Sequence, residues 1–581
     1  MVNSRLQKLL AYLRPHWKQA GLGILALLIV NGLGVYIRRL IGDSIDDLRT
    51  AFSFDRASSF VLIILLLASL MWAIRMISRV LLFSVGRRVE FDLKQKIFEH
   101  LLTLEPSYFA THTSGDLINR ATSDLDNIRR LLGFAVLSLA NMVFAYAITL
   151  PVMMSINLRL SLLALLVYPC MLITVQLFSD RLRNQQQVVQ EELSNLSELI
   201  QEDMSGISLI KIYAQEENER RAFGERNQQL LGANLNLART RNTLFPVIEA
   251  LTSISLLILL WLGPNTIATG GMSIGEFIEL ILQAESLVFP TALLGFTITA
   301  YQRGEVSIDR VEAILKAQPK VKNAPEATRL DEPIRGKIVA RHLSYTYPGS
   351  QTPALKDISF AIEPGERVAI VGPIGAGKST LANAIPRLLD IEPNQLYLDG
   401  QDITKLRLED LRRAIAYVPQ DSFLFSSTIK NNIRYGDPAS EQSDVEYAAK
   451  QAQIATEIFN FPNQYETIVG ERGITLSGGQ RQRTSLARAL LVDAAVLILD
   501  DALSSVDNQT ATQILENLST GVHRKTVIFI SHQLSAAATA DRIFVMEAGQ
   551  IVQIGTHAEL LERPGLYLSL WQQHQLEEVL Q

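Results

Sequence analysis

The sequence predicts a chain in two parts: an α-helical polytopic membrane domain with six long helices, then an α/β domain built on a parallel sheet. Three observations predict this. Roughly the first 300 residues hold six apolar runs long enough to cross a bilayer. A polar, proline-bearing stretch, "KAQPKVKNAPEATRLDEP", follows them. Beyond it, a short β-rich run passes into a glycine loop and then into a helical pattern.

The chain has 581 residues, too many for one ordinary domain of ~100–200. Its net charge of −5 is mild and leaves no nucleic-acid footprint. The single cysteine, Cys170, excludes an intrachain disulfide and reads as an inert small hydrophobe within an apolar run. The first apolar run is too long for the core of a cleavable signal and lacks a small-residue cleavage site.

The six runs cover about 20–41, 60–84, 131–156, 160–178, 244–267 and 274–300. A span needs ~20 mainly apolar residues. The second run, "FVLIILLLASLMWAIRMI", is too continuously apolar for a helix in a soluble core. Arg5, Lys8, Arg14 and Lys18 precede the first run. Arg87, Arg88, Lys94 and Lys96 follow the second, and Arg181, Arg183, Arg220 and Arg221 follow the fourth. The opposite connections are short and poor in Lys and Arg, so the charge bias places both ends of the domain in the cytoplasm.

The two long connections, 85–130 and 179–243, carry apolar residues at helical spacing. Spans two to five are therefore expected to continue as helices well below the membrane. Their tips, near "THTSGDL" and "AQEENERR", read as short polar turns able to touch a soluble domain. Charged residues inside spans are costly and so are candidates for function. Glu249 and Glu285 qualify, and for Glu285 a cavity-facing role and an interhelical ion pair both stand open. Arg38, Arg39, Arg75 and Arg79 lie near span ends and are expected to snorkel to headgroups.

In the second part, "ERVAIVGPIGAGKSTLANAI" matches the pattern of a P-loop in Gly372, Gly377, Lys378 and Ser379, with the strand before and the helix after that the pattern requires. Such a loop wraps backbone N–H groups around phosphate oxygens; the lysine reaches the β- and γ-phosphates and the serine hydroxyl holds Mg²⁺. The remaining loop residues Pro373, Gly375, Ala376 and Thr380 belong to the same cradle. A P-loop also needs a second strand ending in an acid for the metal, and "AVLILDD" supplies Asp500. Asp501 follows at the rim, where a general base or water-orienting group stands.

These residues are accompanied by "LSGGQRQR", "VPQD", "SSVD", "ISH", "YTYPG" and "VGERG". In this order and spacing the second part resembles the nucleotide-binding domain of ATP-binding-cassette (ABC) transporters, and the six spans resemble the membrane domain of half-size multidrug and lipid exporters. The resemblance covers essentially the whole chain. It implies a membrane domain over 1–318, a linker over 319–335 and an ABC-type P-loop NTPase domain over 336–581. It also implies roles. Tyr347 would stack on adenine. Gln420 would touch Mg²⁺ and sense the membrane domain. Ser477, Gly478, Gly479 and Gln480 would meet the ATP held by another subunit's P-loop. Asp507 would cross the dimer interface, and His532 would contact the γ-phosphate. ATP and Mg²⁺ are the implied cofactors, and Lys378, Gln420, Asp501 and His532 the implied catalytic set. Ser379, Gln420 and Asp500 are the implied metal ligands.

The family usually has glutamate where Asp501 stands. The shorter side chain withdraws the carboxylate by roughly 1–1.5 Å, and a misplacement of ~1 Å can cost about a hundredfold in rate. In heterodimeric exporters one subunit often combines this aspartate with an intact LSGGQ, as here. The expectation is ATP-driven export or lipid flipping of an amphipathic or hydrophobic small molecule, lipid or peptide, in a bacterial-type inner membrane. The partner expected is a second half-transporter, a different one rather than a copy. A homodimeric lipid flippase with slow hydrolysis and a non-transporting ATP-gated regulator are the alternatives.

Overall fold

The computed structural model describes residues 2–470, 473–506, 508–517 and 525–580. Asp507 and Glu471, of the "SSVD" and "VGERG" motifs, lie outside the described residues. The chain separates into two compact units. The first is Met1–Leu102 with His112–Ala317; the second is Thr103–Thr111 with Gln318–Gln581.

Among the described residues, the first unit contains six helices long and apolar enough to cross a membrane: α1 Gln7–Thr50, α2 Phe54–Leu101, α3 Ser114–Ile156, α4 Leu158–Ser205, α5 Glu216–Ala268 and α6 Ile274–Lys316. Each expected span lies inside one of them. They run from 43 to 53 residues. At about 1.5 Å per residue such helices are roughly twice the ~30 Å of a hydrocarbon core. The continuation expected for spans two to five extends to spans one and six as well. Within the unit α1 packs chiefly along α2, α4 along α5, and α6 against α1 and α3. The α1–α6 contact is close because Gly42 and Gly275 face each other; a Cβ on Gly275 would lie 2.1 Å from the Gly42 carbonyl. Beside it, the Asp46 carboxylate accepts from the Gly275 N–H at 2.8 Å and from the Ser273 hydroxyl, tying the start of α6 to the end of α1.

The charged span residues are distributed differently from expectation. Arg38 does not snorkel. Its guanidinium is half-buried and donates from Nε to Gln283 Oε1 at 2.7 Å. Arg75 and Arg79 line an internal cavity with it. Arg39, like Arg75 and Arg79, is exposed; it pairs loosely with Asp43 at 4.0 Å. Glu285 is exposed; among the described residues it forms no ion pair, and it lines no described cavity. The buried polar residues in this part of α6 include instead Glu279 and Gln283. The reason is helical period: 283 and 285 point about 200° apart, whereas 279 and 283 share a face. Glu249 on α5 is also exposed.

The second unit holds two sheets. Its strands are β1 Ile338–Tyr345, β2 Leu355–Ile362, β3 Arg367–Val371, β4 Leu396–Leu398, β5 Gln401–Asp402, β6 Ile415–Val418, β7 Val496–Asp500, β8 Thr526–Ile530, β9 Arg542–Glu547 and β10 Gln550–Gly555. One sheet has order β2-β1-β4-β5; the other runs β10-β9-β3-β8-β7-β6. From β9 to β6 all neighbours are parallel, and β10 closes the edge antiparallel to β9. The parallel strands are apolar on both faces, as a sheet covered on both sides requires. Leu497, Leu499, Val527 and Phe529 enter one core, and Ile498, Ile528 and Ile530 the other. The stretch expected as a linker is fastened to this unit: the Thr328 N–H donates to the Lys405 carbonyl and the Thr328 carbonyl accepts from Arg407. Within the same unit, Glu105, just before the first expected tip, accepts from the Lys320 N–H at 3.1 Å. The second tip, "AQEENERR", lies in the first unit.

Candidate functional site

Four adjacent parallel strands deliver the site residues to one edge. β3 leads into the glycine loop, β8 into His532, β7 ends in Asp500 and Asp501, and β6 leads to Gln420. Ligands of open α/β sheets collect at these carboxyl ends.

The loop that follows β3 is glycine-dependent in specific places. Gly372 has φ +147° and Gly377 φ +96°. A Cβ would lie 2.1 Å from the Met546 carbonyl at the first and 2.6 Å from the Ala354 carbonyl at the second. No other residue fits either contact. Lys378 opens helix α7, Lys378–Ala384, and its Nζ donates to the carbonyls of Gly372 at 2.8 Å and Pro373 at 2.9 Å. Burial lowers the pKa of its ammonium; the charges of Asp501 and Asp500 work the other way.

Ser379 Oγ donates to Asp500 Oδ1 at 2.9 Å, so the hydroxyl and the carboxylate expected to share a metal stand together. The other Asp500 oxygen meets the Tyr417 hydroxyl at 3.2 Å, and that hydroxyl also lies 2.9 Å from Asn383 Oδ1. Burial pushes the Asp500 carboxyl above its ordinary range, and the Ser379 and Tyr417 hydroxyls pull it back. Burial likewise raises Asp501, opposed mainly by His532 and Lys378. Asp501 occupies a left-handed backbone position, φ +51°, and its N–H donates to the Ile530 carbonyl. His532 is exposed and lines a small pocket of about 190 Å³ with Gly372, Pro373 and Ile374.

Tyr347 is partly exposed, packs edge-on against Tyr345 and reaches the Thr380 hydroxyl at 3.2 Å. Ala376 is buried and its carbonyl accepts from Gly549. Gly375, at φ +82°, has nothing within 4 Å of its missing side chain and leaves the loop open there.

Two expected contacts are placed otherwise. Gln420 is exposed, makes no described hydrogen bond to Ser379 or Asp500, and lines a groove of about 860 Å³ with Phe423, Gly478, Arg481 and Gln482. Gln480 is engaged at both ends of its amide: Oε1 accepts from the Ser477 N–H at 2.9 Å and Nε2 donates to Glu457 at 2.8 Å. Together with Ser477 Oγ, which accepts from the Gln480 N–H, this forms the cap that starts α8, Gly478–Leu491. Ser477 and Gly478 are held at the helix's positive end.

Sequence reasoning missed Tyr417, Asn383 and Gln482. Buried Gln482 receives the Ser505 N–H at 2.8 Å and donates to Ser504 Oγ at 3.0 Å and the Asp501 carbonyl at 3.5 Å. Gly479 lets that loop approach: a Cβ there would lie 2.7 Å from the Ser505 carbonyl. Tyr417 had a usable signal, since it immediately precedes the quoted "VPQD" on β6. Asn383 had none beyond its place on the helix after the glycine loop, and Gln482, although inside the quoted "LSGGQRQR", had none for its contact with Asp501.

Residues 20–291 match the ABC transporter transmembrane region, and residues 355–504 match the ABC transporter family. Relatives align end to end. A probable multidrug resistance ABC transporter ATP-binding/permease protein, YheI of Bacillus subtilis, is 33% identical over 99% of this chain and 98% of its own. The chain belongs to the ABC transporter family. This transporter is also 32% identical to the multidrug resistance-like ATP-binding protein MdlA of Escherichia coli, over 98% of this chain and 96% of that one. An ATP-dependent lipid A-core flippase of Syntrophus aciditrophicus is 31% identical over 98% and 94%. Its fold matches a bacterial Atm1-family ABC exporter with ATP bound, with a TM-score of 0.78 at 24% identity over 96% of this chain and 99% of that one. The transporter is thus an integral membrane protein that binds ATP and couples its hydrolysis to transport.

Proposed function

We propose that this chain is one half of a dimeric exporter that moves an amphipathic or hydrophobic molecule out of the cytoplasm by alternating access. The helical unit would lie in an inner membrane with the nucleotide unit on the cytoplasmic side, as the Lys and Arg bias supports. ATP would bind between two nucleotide units. Tyr347 would hold the adenine, and the loop from Gly372 to Thr380 the phosphates. Ser477, Gly478 and Gly479 of the other subunit would close over the γ-phosphate, with Gln480 acting through the cap. Asp507 would take part in that closure. The observation that carries this reading is the gathering of the glycine loop, Ser379, Asp500, Asp501 and His532 at one sheet edge.

The donors fit Mg²⁺. A hydroxyl and a buried carboxylate of raised pKa stand 2.9 Å apart, and hard divalent cations take such oxygens. Bound Mg²⁺ would offset negative charge on the β- and γ-phosphates. Lys378 would bind the same phosphates. Tyr417 would hold Asp500 in orientation. His532 would contact the γ-phosphate beside Gly372. Asp501 would orient water, and its short side chain would make that step slow. Gln420 would reach the metal only after leaving its groove with Gly478.

Asp501 beside an intact LSGGQ supports a partner subunit that carries glutamate at the matching position. A homodimer with slow turnover is supported by the end-to-end likeness to a lipid A-core flippase. The mass of the native complex separates them: a second polypeptide of different mass is expected, and a single species of twice 64.6 kDa would assign the homodimer. The transport reading is tested in reconstituted vesicles. ATP-dependent accumulation of an amphipathic reporter is expected, and its absence with hydrolysis intact would favour the regulator.

A further inference from the structure

The last helix of the nucleotide unit, α9 Leu566–Leu580, reaches the candidate site from a side that no motif marks. Its first turn is anchored. Tyr567 is wholly buried; its N–H donates to Gln553 Oε1 at 3.0 Å and its hydroxyl lies 2.7 Å from His557 Nδ1. Gly565 leaves room for the Gln553 amide, which a Cβ there would meet at 2.2 Å. One turn further on, the Trp571 ring stands 4.6 Å from the His557 ring and stacks on Tyr567. The helix thus leaves a fixed base, and that base places its next turn.

That turn meets the segment after β8. Leu570, Gln573 and His574 close the pocket of about 190 Å³ whose other walls are Ser531, His532 and the start of the glycine loop. Positions 570, 573 and 574 share one helix face, and 572 points away from it. Four polar side chains therefore surround a small space beside the position proposed for the γ-phosphate. They are not equally engaged. The Ser531 hydroxyl donates to the Gln533 carbonyl at 3.1 Å and accepts from the Gln533 N–H at 3.0 Å. The His574 ring packs edge-on against Trp571. The His532 ring takes part in no hydrogen bond among the described residues. Gln573, which is exposed, brings a primary amide to the same wall.

A neutral histidine that meets a phosphate oxygen has to present an N–H rather than a lone pair. One imidazole nitrogen carries the proton and the other accepts, and the partner of the second decides which is which. The NH₂ of an amide can only donate, so on one ring nitrogen it sends the proton to the other. We infer, resting on the reading of His532 as the γ-phosphate contact, that Gln573 is a positioning residue for hydrolysis. With nucleotide bound, its amide donates to the His532 nitrogen turned away from the nucleotide and fixes the ring with its N–H toward the γ-phosphate. The final helix, which carries none of the motifs, thereby takes part in the reaction, and does so only while Tyr567, Trp571 and His557 hold it in place.

The test is a double-mutant cycle on the assembled full-length transporter in lipid discs, read as kcat and KM for ATP hydrolysis. Gln573→Leu removes the donor and leaves the core alone, because the side chain is exposed. Its kcat should fall about tenfold, with KM for ATP unchanged to within about twofold. In a His532→Ala background the same change should cost nothing further, because the ring that it orients is gone. Gln572→Leu, one residue away and outside the pocket, should leave kcat as it is. An equal loss from Gln573→Leu with and without His532 would make Gln573 a packing residue and overturn the inference. Full activity in Gln573→Leu while His532→Ala is slow would overturn it too, and would leave the role of His532 standing. Full activity in His532→Ala would instead remove the γ-phosphate contact itself, and the role of Gln573 with it.

Discussion

Charge lines a cavity or cleft in both units of this transporter, but it is treated in opposite ways. At the strand ends of the nucleotide unit every buried charge has an answer nearby. Asp500 has Ser379 and Tyr417, and Lys378 has two carbonyls and two carboxylates in range. In the helical unit the exposed Arg75 has a thioether, and the exposed Arg79 has no hydrogen bond or ion pair among the described residues. The first arrangement is a finished framework that a phosphate chain enters by exchanging one set of contacts for another. The second leaves hydrogen-bonding capacity unspent.

The largest expected effect lies in the finished framework. Lys378→Ala removes the cation that would bind the phosphates, and ATP hydrolysis should fall on the order of 10²–10³-fold in a phosphate-release assay. A loss under threefold would mean that the carbonyl-bound lysine stays out of the reaction. Asp501→Glu restores the missing methylene and should raise kcat by up to about a hundredfold. No change, or a fall, would show that the left-handed position of residue 501 already places its carboxylate.

Tyr417→Phe tests whether the second Asp500 contact matters. A hydrogen bond to a charged group is worth roughly 1.5–3 kcal/mol, so kcat should drop about tenfold. The lost hydroxyl also stops lowering the Asp500 pKa, so the acid limb of the pH–rate profile should move to higher pH. A loss in rate with no movement of that limb would make Tyr417 a packing residue.

Asp500→Asn separates stability from activity. Burial raises this carboxyl above its unfolded value, so its ionised form weighs against the fold at every pH above the folded pKa. That weight disappears as the pH falls below the unfolded value near 3.9. The nucleotide-free variant should therefore melt at a higher temperature than the wild type at pH 8. The gain should shrink as the pH drops through the folded pKa. A lower melting temperature at pH 8 would mean that the contacts of the carboxylate outweigh its desolvation. The smallest effect belongs to Arg39→Gln. This exposed arginine, paired only loosely with Asp43, should leave hydrolysis and labelled-lipid translocation unchanged.

The same contrast explains what could be read before the structure. Phosphate chemistry needs Gly372, Lys378, Ser379 and Asp500 at set spacings, so those residues announce themselves. Six apolar runs likewise announce six helices. Their rotation does not show in a run that is apolar all round, so Glu285 drew attention while Glu279 and Gln283, on the buried face, did not. Arg38 read as a headgroup anchor because its depth could be estimated but its direction could not. Gln482, inside "LSGGQRQR", and Tyr417, just before "VPQD", act on Asp501 and Asp500 through contacts that only folding makes.

The amide of Gln482 has a further consequence. It sits on the helix that begins with Ser477, and it holds the carbonyl of Asp501 and the turn at Ser504 and Ser505. In a paired assembly, Ser477 would attend the neighbour's nucleotide while Asp501 attends its own. One side chain then spans the distance between two separate reactions, and whatever tugs at the first is felt, within a single residue, at the second.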